Sequence, residues 1–178
     1  MAVTVAPMAG EDVESIRFLL TGYVKEFAAA LGAQDFAAEM LELPERYAPP
    51  EGRMFVVRWE GIVVGCAAWK RFDGTRCELK RMVVAPEARG VGAGRALAVA
   101  AMQDAASHGM TEMLLDTVPE MDAARRLYAS LGFEPCAAYC DSPLREPVFM
   151  RRSLENLPGP APPRAPWPGA KARRPVRP

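Results

Sequence analysis

Nine residues near the middle of the chain restrict its fold more than any other stretch: Pro86-Glu87-Ala88-Arg89-Gly90-Val91-Gly92-Ala93-Gly94. A strand-like run, Cys77–Ala85, leads into them, and an alanine-rich helical run, Gly92–His108, leads out. A glycine-rich turn at a helix N-terminus aims several free N–H groups at one point, and the helix dipole adds partial positive charge there. Glycine also lets the backbone approach a ligand closely. The segment therefore reads as an anion site suited to phosphate or pyrophosphate. A P-loop is excluded, because no Lys-Ser or Lys-Thr follows these glycines. A dinucleotide fingerprint is excluded too: counted from Gly90, the last glycine of GxGxxG falls on Arg95, and the loop follows three antiparallel strands.

The flanking pattern gives the elements. Val3–Ala6 reads as a strand and Glu11–Leu31 as a helix, with Ile16, Leu19, Leu20, Tyr23, Val24 and Phe27 at helical spacing. Phe36–Leu43 is a second, short helix, ended by Pro44, Pro49, Pro50 and Gly52. Met54–Trp59 and Ile62–Phe72 are strands joined at Glu60-Gly61, and Asp73-Gly74 turns the chain into Arg76–Val84. After the glycine turn comes a helix with the stripe Leu97, Ala98, Ala101, Met102 and Ala105, capped by Gly109. Strand Glu112–Val118 follows, then a helix from Pro119 whose inner face is Ala124, Leu127, Tyr128 and Leu131, capped by Gly132. Phe133–Tyr139 and Val148–Leu154 close the sheet. The order is β-α-α-β-β-β-α-β-α-β-β, an α/β chain with a mixed sheet and helices on its faces.

Composition narrows the function. The longest apolar run, Ala96–Met102, has seven residues, far short of the roughly 18 a membrane span needs. Met1–Gly10 has no basic stretch before an apolar block, so no signal peptide is read and a cytoplasmic protein is expected. Cys66, Cys77, Cys136, Cys140 and the single His108 lack the close pairing of a zinc site, so free thiols and no metal are expected. Residues 1–155 hold 17 basic and 22 acidic side chains, an acidic body that argues against nucleic-acid binding. Residues 156–178 hold eight prolines, five basic residues and no acidic ones. That tail has no apolar periodicity and reads as disordered or polyproline-like, outside a domain of residues 1–155.

Two motifs together resemble a known family. Arg89-Gly90-Val91-Gly92-Ala93-Gly94 resembles the [Q/R]-x-x-G-x-[G/A] signature of the GNAT (GCN5-related) N-acetyltransferases. Ala124-Arg125-Arg126-Leu127-Tyr128-Ala129-Ser130-Leu131-Gly132-Phe133 resembles the A-x-x-L-Y-x-x-x-G-F block that closes those domains, and the element order agrees over residues 3–154. The resemblance implies a small bacterial-type, single-domain acetyltransferase with acetyl-CoA as co-substrate. Met82, Val83 and Val84 would meet pantetheine where two parallel strands splay. Arg89, Gly90, Val91, Gly92, Ala93, Gly94 and Arg95 would hold the pyrophosphate. Many members carry Asn at the position of Met121, so the contact from that loop passes to the backbone or to Asp122.

Amine acetylation needs a neutral amine, a donor for the oxyanion and a proton for the leaving thiolate. The resemblance makes Tyr128 the acid, although its place on an apolar helix face also suits a core residue. Glu78 is the candidate base, with a salt bridge to Lys80, Arg81 or Arg71 as the equal alternative. The backbone N–H of Met82 or Val83 would serve the oxyanion. His108 reads as a helix C-terminal cap. The acceptor would lie between Leu31–Arg53 and the Tyr139–Pro147 loop, lined by Trp69, Arg71, Tyr139 and Arg145, where an arginine would suit a carboxylate-bearing amine. A small-molecule amine is the expected acceptor; a protein or peptide amine, or a non-catalytic acyl-CoA-binding module, is the alternative. No membrane or nucleic-acid partner is expected, and a homodimer stays open.

Overall fold

The structure, a computed structural model, describes residues 3–27 and 36–157. The proline-rich tail beyond Leu157 and the predicted extension of the first helix to Leu31 lie outside the described residues. Leu157 packs against the core, so the folded unit reaches at least two residues past the expected boundary at 155.

Seven strands form one sheet: β1 (Val3–Pro7), β2 (Gly52–Trp59), β3 (Ile62–Asp73), β4 (Arg76–Val84), β5 (Glu112–Thr117), β6 (Glu134–Pro135) and β7 (Val148–Ser153). Their spatial order is β1-β2-β3-β4-β5-β7-β6. The β4–β5 pair is parallel and the other neighbours are antiparallel. The β2–β3 turn has Glu60 and Gly61 both at positive φ, 52° and 81°, the two-residue turn whose twist matches a hairpin.

Helices cover both faces. α1 (Val13–Glu26), α2 (Phe36–Leu41) and α3 (Leu43–Arg46) lie on one side; α4 (Ala93–Ser107) and α5 (Asp122–Ser130) lie on the other. Strand alternation sorts the side chains. Met54, Val56, Cys66, Ala68 and Val83 pack with Ile16, Leu20 and Leu43. Trp69, Cys77, Leu79, Met113 and Leu115 pack with Leu97, Met102 and Leu131.

Three expectations change. The single helix over Phe36–Leu43 is two short ones, because Pro44 falls in the first turn of α3, where its missing N–H is harmless, and so starts a helix as well as ending one. The helix expected from Pro119 starts at Asp122. The strand expected over Phe133–Tyr139 shrinks to Glu134–Pro135. Cys136 N–H still donates to the Phe149 carbonyl at 3.0 Å, after which the chain leaves the edge and Tyr139 packs its ring 5.2 Å from both Phe72 and Phe149.

Candidate active site

A cleft of about 2050 Å³ runs across the middle of the molecule. At one end stands the start of α4. Gly92 caps it at φ 91°, the left-handed region that favours glycine. Helical bonding begins with Ala96 N–H donating to the Gly92 carbonyl at 3.0 Å, so the N–H groups of Ala93, Gly94 and Arg95 have no intrahelical acceptor. No side chain caps this end, and a Cβ built on Gly90 or Gly92 would meet nothing within 4 Å. Residues 89–95 all line the cleft. Open, uncapped donors of this kind fit a pyrophosphate.

The middle of the cleft is a gap between strands. β4 and β5 are paired only at Arg76–Glu112, Cys77–Met113 and Glu78–Leu114. Beyond Glu78 the two strands separate, and residues 79–84 on one side and 115–117 on the other line the opening. The expected splay of parallel strands is therefore present, with Met82, Val83 and Val84 along its edge. β4 also carries a bulge against β3 at Arg81, which sits at φ 54°.

Tyr128 lines the gap from α5. Two bonds after the helix fix it: Gly132, at φ 88°, donates to the Ala129 carbonyl and Phe133 donates to the Tyr128 carbonyl, both at 3.0 Å. The Phe133 ring packs 5.8 Å away. The residue is 8% exposed; its hydroxyl has no hydrogen bond among the described residues but is not sealed from the cleft. Burial, then the neighbouring Tyr23 and Asp116, push the phenol well above its ordinary pKa, so it stays protonated. Tyr23 reaches over from α1 and donates to Met121 Sδ at 3.4 Å; burial raises it to about 12.

The other end of the cleft is made of charged side chains. Arg81 grips Glu39 with two bonds, Nε–Oε1 at 2.6 Å and Nη2–Oε2 at 2.5 Å. The Tyr47 hydroxyl also donates to Glu39, at 2.8 Å. Burial alone would raise the Glu39 carboxyl, but Arg81, Tyr47 and Arg46 together hold it below 4.5. Asp116, on β5 at the edge of the gap, accepts from the Ser142 hydroxyl at 2.7 Å and lies 4.0 Å from Lys80. Glu78 accepts from the Tyr139 hydroxyl at 3.0 Å and from Lys80 at 3.4 Å. Asp116 and Lys80 line the cleft.

Comparison with known proteins agrees with this geometry. Residues 20–133 match the acetyltransferase (GNAT) family. The chain belongs to the GNAT acetyltransferase family. It is 36% identical over 148 residues to an N-acetyltransferase of Schizosaccharomyces pombe, covering 82% of this chain and 91% of that one. It is 35% identical over 121 residues to an N-acetylaspartate synthetase of Danio rerio, covering 67% and 42%. An acetyltransferase of Salmonella typhimurium solved with acetyl-CoA has the same fold, with a TM-score of 0.71, 23% identity, and coverage of 90% and 99%. The protein is thus an acetyl-CoA-dependent N-acetyltransferase.

For a GNAT enzyme, several expected site residues stand elsewhere. Trp69, expected near the acceptor, is fully buried on the α4 side and donates Nε1–H to Asp104 at 2.8 Å. The alternation of β3 turns it away from the cleft. Arg71 pairs with Glu51 at 3.1 Å and donates to the Gly74 carbonyl. Arg145 is exposed outside the lining, while Pro143 and Leu144 beside it line the cleft. Tyr139 approaches through Glu78 but does not line the cleft. Asp122 is at the rim, 70% exposed, and 3.5 Å from both Arg125 and Arg126. His108 caps α4, its Nδ1 lying 2.8 Å from the Asp104 carbonyl. Met121 accepts from both Tyr23 and Thr117. Asp116 and Lys70 line the cleft unannounced by any motif; the register that pairs Leu114 with Glu78 puts Asp116 on the same face, a signal visible only once strands are paired. No helix among the described residues is long and apolar enough to cross a membrane.

Proposed function

We propose that the enzyme moves the acetyl group of acetyl-CoA to the primary amine of a small molecule by direct attack in a ternary complex. The observation that carries this reading is the continuity of the cleft. It runs unbroken from the free amides of α4, past Tyr128, to the charged end at Asp116 and Lys80, so donor and acceptor have room to lie end to end. Acetyl-CoA supplies an activated acyl carbon. The chain supplies position and proton transfers.

The amides of Ala93, Gly94 and Arg95 hold the pyrophosphate, with Arg89, Gly90, Val91 and Gly92 shaping the cradle. Asp116 takes the amine proton, directly or through one water, so that the nitrogen lone pair attacks the carbonyl carbon. The N–H of Met82 or Val83, on the free edge of β4, receives the oxyanion. Tyr128 gives its proton to the departing sulfur, and the C–S bond breaks as the amide forms. Glu78, committed to Tyr139 and Lys80 outside the cleft lining, holds the floor of the acceptor end. This favours the salt-bridge reading of Glu78 over its role as base. The N-acetylaspartate synthetase among the relatives, named for a small acetylated product, supports a small acceptor.

The test is thiol release from acetyl-CoA across amines, amino acids and peptides, with both substrates varied. Intersecting double-reciprocal lines and turnover of small amines are expected. Parallel lines with an acetylated enzyme intermediate would overturn direct attack, and turnover of peptides alone would overturn the small acceptor.

A further inference from the structure

The charges at the acceptor end are nearly all spent on one another. Arg81 is held by Glu39, Arg46 by Glu42 at 3.2 Å, and Lys80 by Glu78 and Asp116. Lys70 is the exception: it lines the cleft and has no ion-pair partner among the described residues. Its backbone pairs with Glu78 on β4, yet the Glu78 carboxylate turns to Tyr139 and Lys80.

The sheet register fixes the layout. Lys70 pairs with Glu78, and Glu78 with Leu114, so Lys70, Glu78, Lys80 and Asp116 share one face. Asp116 stands two strands and two residues away from Lys70, a backbone separation of at least about 12 Å, because β4 and β5 part beyond Glu78. The flexible four-carbon stem of Lys70 lets its ammonium reach into that span. The carboxylate thus sits at the strand gap, where the acetyl group is delivered, and the uncompensated cation sits farther out.

On the transfer reading above, we infer that the acceptor is an amine carrying an anionic group, a carboxylate as in a free amino acid, and that Lys70 binds that group while the amine faces Asp116. A polyamine or a lysine side chain in a protein would set a second cation or an alkyl chain against Lys70. An amino acid leaves the acceptor end electrically neutral, with each of its charges facing an opposite one.

The experiment measures acetyl-CoA thiol release for free L-amino acids, their decarboxylated amines, spermidine and blocked lysine peptides, using wild type, Lys70→Met and Lys70→Arg. Wild type should prefer an amino acid over its decarboxylated amine by about 10–100-fold in kcat/KM, the worth of one charge-assisted bond. Lys70→Met should erase that preference through KM, leaving the decarboxylated amine unchanged, and Lys70→Arg should restore most of it. Equal or better turnover of decarboxylated amines, spermidine or peptides by wild type overturns the inference. So does a preference that survives in Lys70→Met. If no acceptor is turned over while calorimetry shows acetyl-CoA bound, the transfer reading itself fails, a result distinct from the other two.

Discussion

The coenzyme end of the cleft offers mainly backbone: three amides at the start of α4, shaped by glycines that are neighbours in sequence. The acceptor end offers side chains drawn from α2, α3, β3, β4, β5 and the loop before β7. A backbone site depends on local conformation, so a short motif encodes it and tolerates variation in the rest of the chain. A side-chain site depends on which strands pair in which register, so its residues are scattered, and its ligand can change without disturbing the coenzyme end.

Substitutions at the two ends should therefore fail in different ways. The largest effect is expected from Gly92→Asp, which places a carboxylate among the free amides. Acetyl-CoA affinity should fall about 10³-fold or more by calorimetry, from repulsion and lost charge-assisted bonds. Gly92→Ala is the control, because the left-handed backbone alone costs about 1 kcal/mol. If Gly92→Asp is folded and binds normally, α4 does not hold the pyrophosphate.

Tyr128→Phe comes next and belongs to neither end. Turnover should fall by about 10²–10⁴-fold with KM for acetyl-CoA little changed. Its hydroxyl has no hydrogen bond among the described residues, so the melting temperature should hardly move. Near-normal turnover would assign the ring to packing alone.

Asp116→Asn against Glu78→Gln sharpens the division within the acceptor end. The first should lower kcat by about 10²-fold. The second, which removes a carboxylate that pairs with Lys80 but does not itself line the cleft, should cost less than about tenfold. The reverse order would return the base to Glu78.

Glu39→Gln should affect stability more than chemistry. Breaking its pairing with Arg81 should cost about 2 kcal/mol at pH 7, below the usual range for buried pairs because the cleft admits water. The folded carboxyl is depressed below 4.5. Its stabilisation is therefore complete above pH 4.5 and fades as pH falls through the folded value. Thermal melts of wild type and variant should converge as the pH is lowered into the acid range; a constant gap would show that the pairing is not what stabilises. The smallest effect is expected from removing residues 158–178. Cutting after Leu157 keeps every described core contact, and a changed melting temperature or rate would show that the tail packs on the domain.

The sequence by itself determined the strand–turn–helix at Gly90–Gly94, the Glu60-Gly61 hairpin and the caps at Gly109 and Gly132. Each rests on residues a few positions apart, where chain stereochemistry decides the outcome. Only the family resemblance pointed Tyr128 toward the cleft rather than the core. Tertiary structure alone decided that Trp69 faces α4 while Lys70, its neighbour, faces the cleft. It also decided that Asp116 meets Lys80 across the strand gap and that Arg81 anchors Glu39, 42 positions away. In a strand, one step of register exchanges the buried face for the open one. Which face becomes the site is fixed only when α1 covers part of the sheet and leaves the rest exposed to the acceptor.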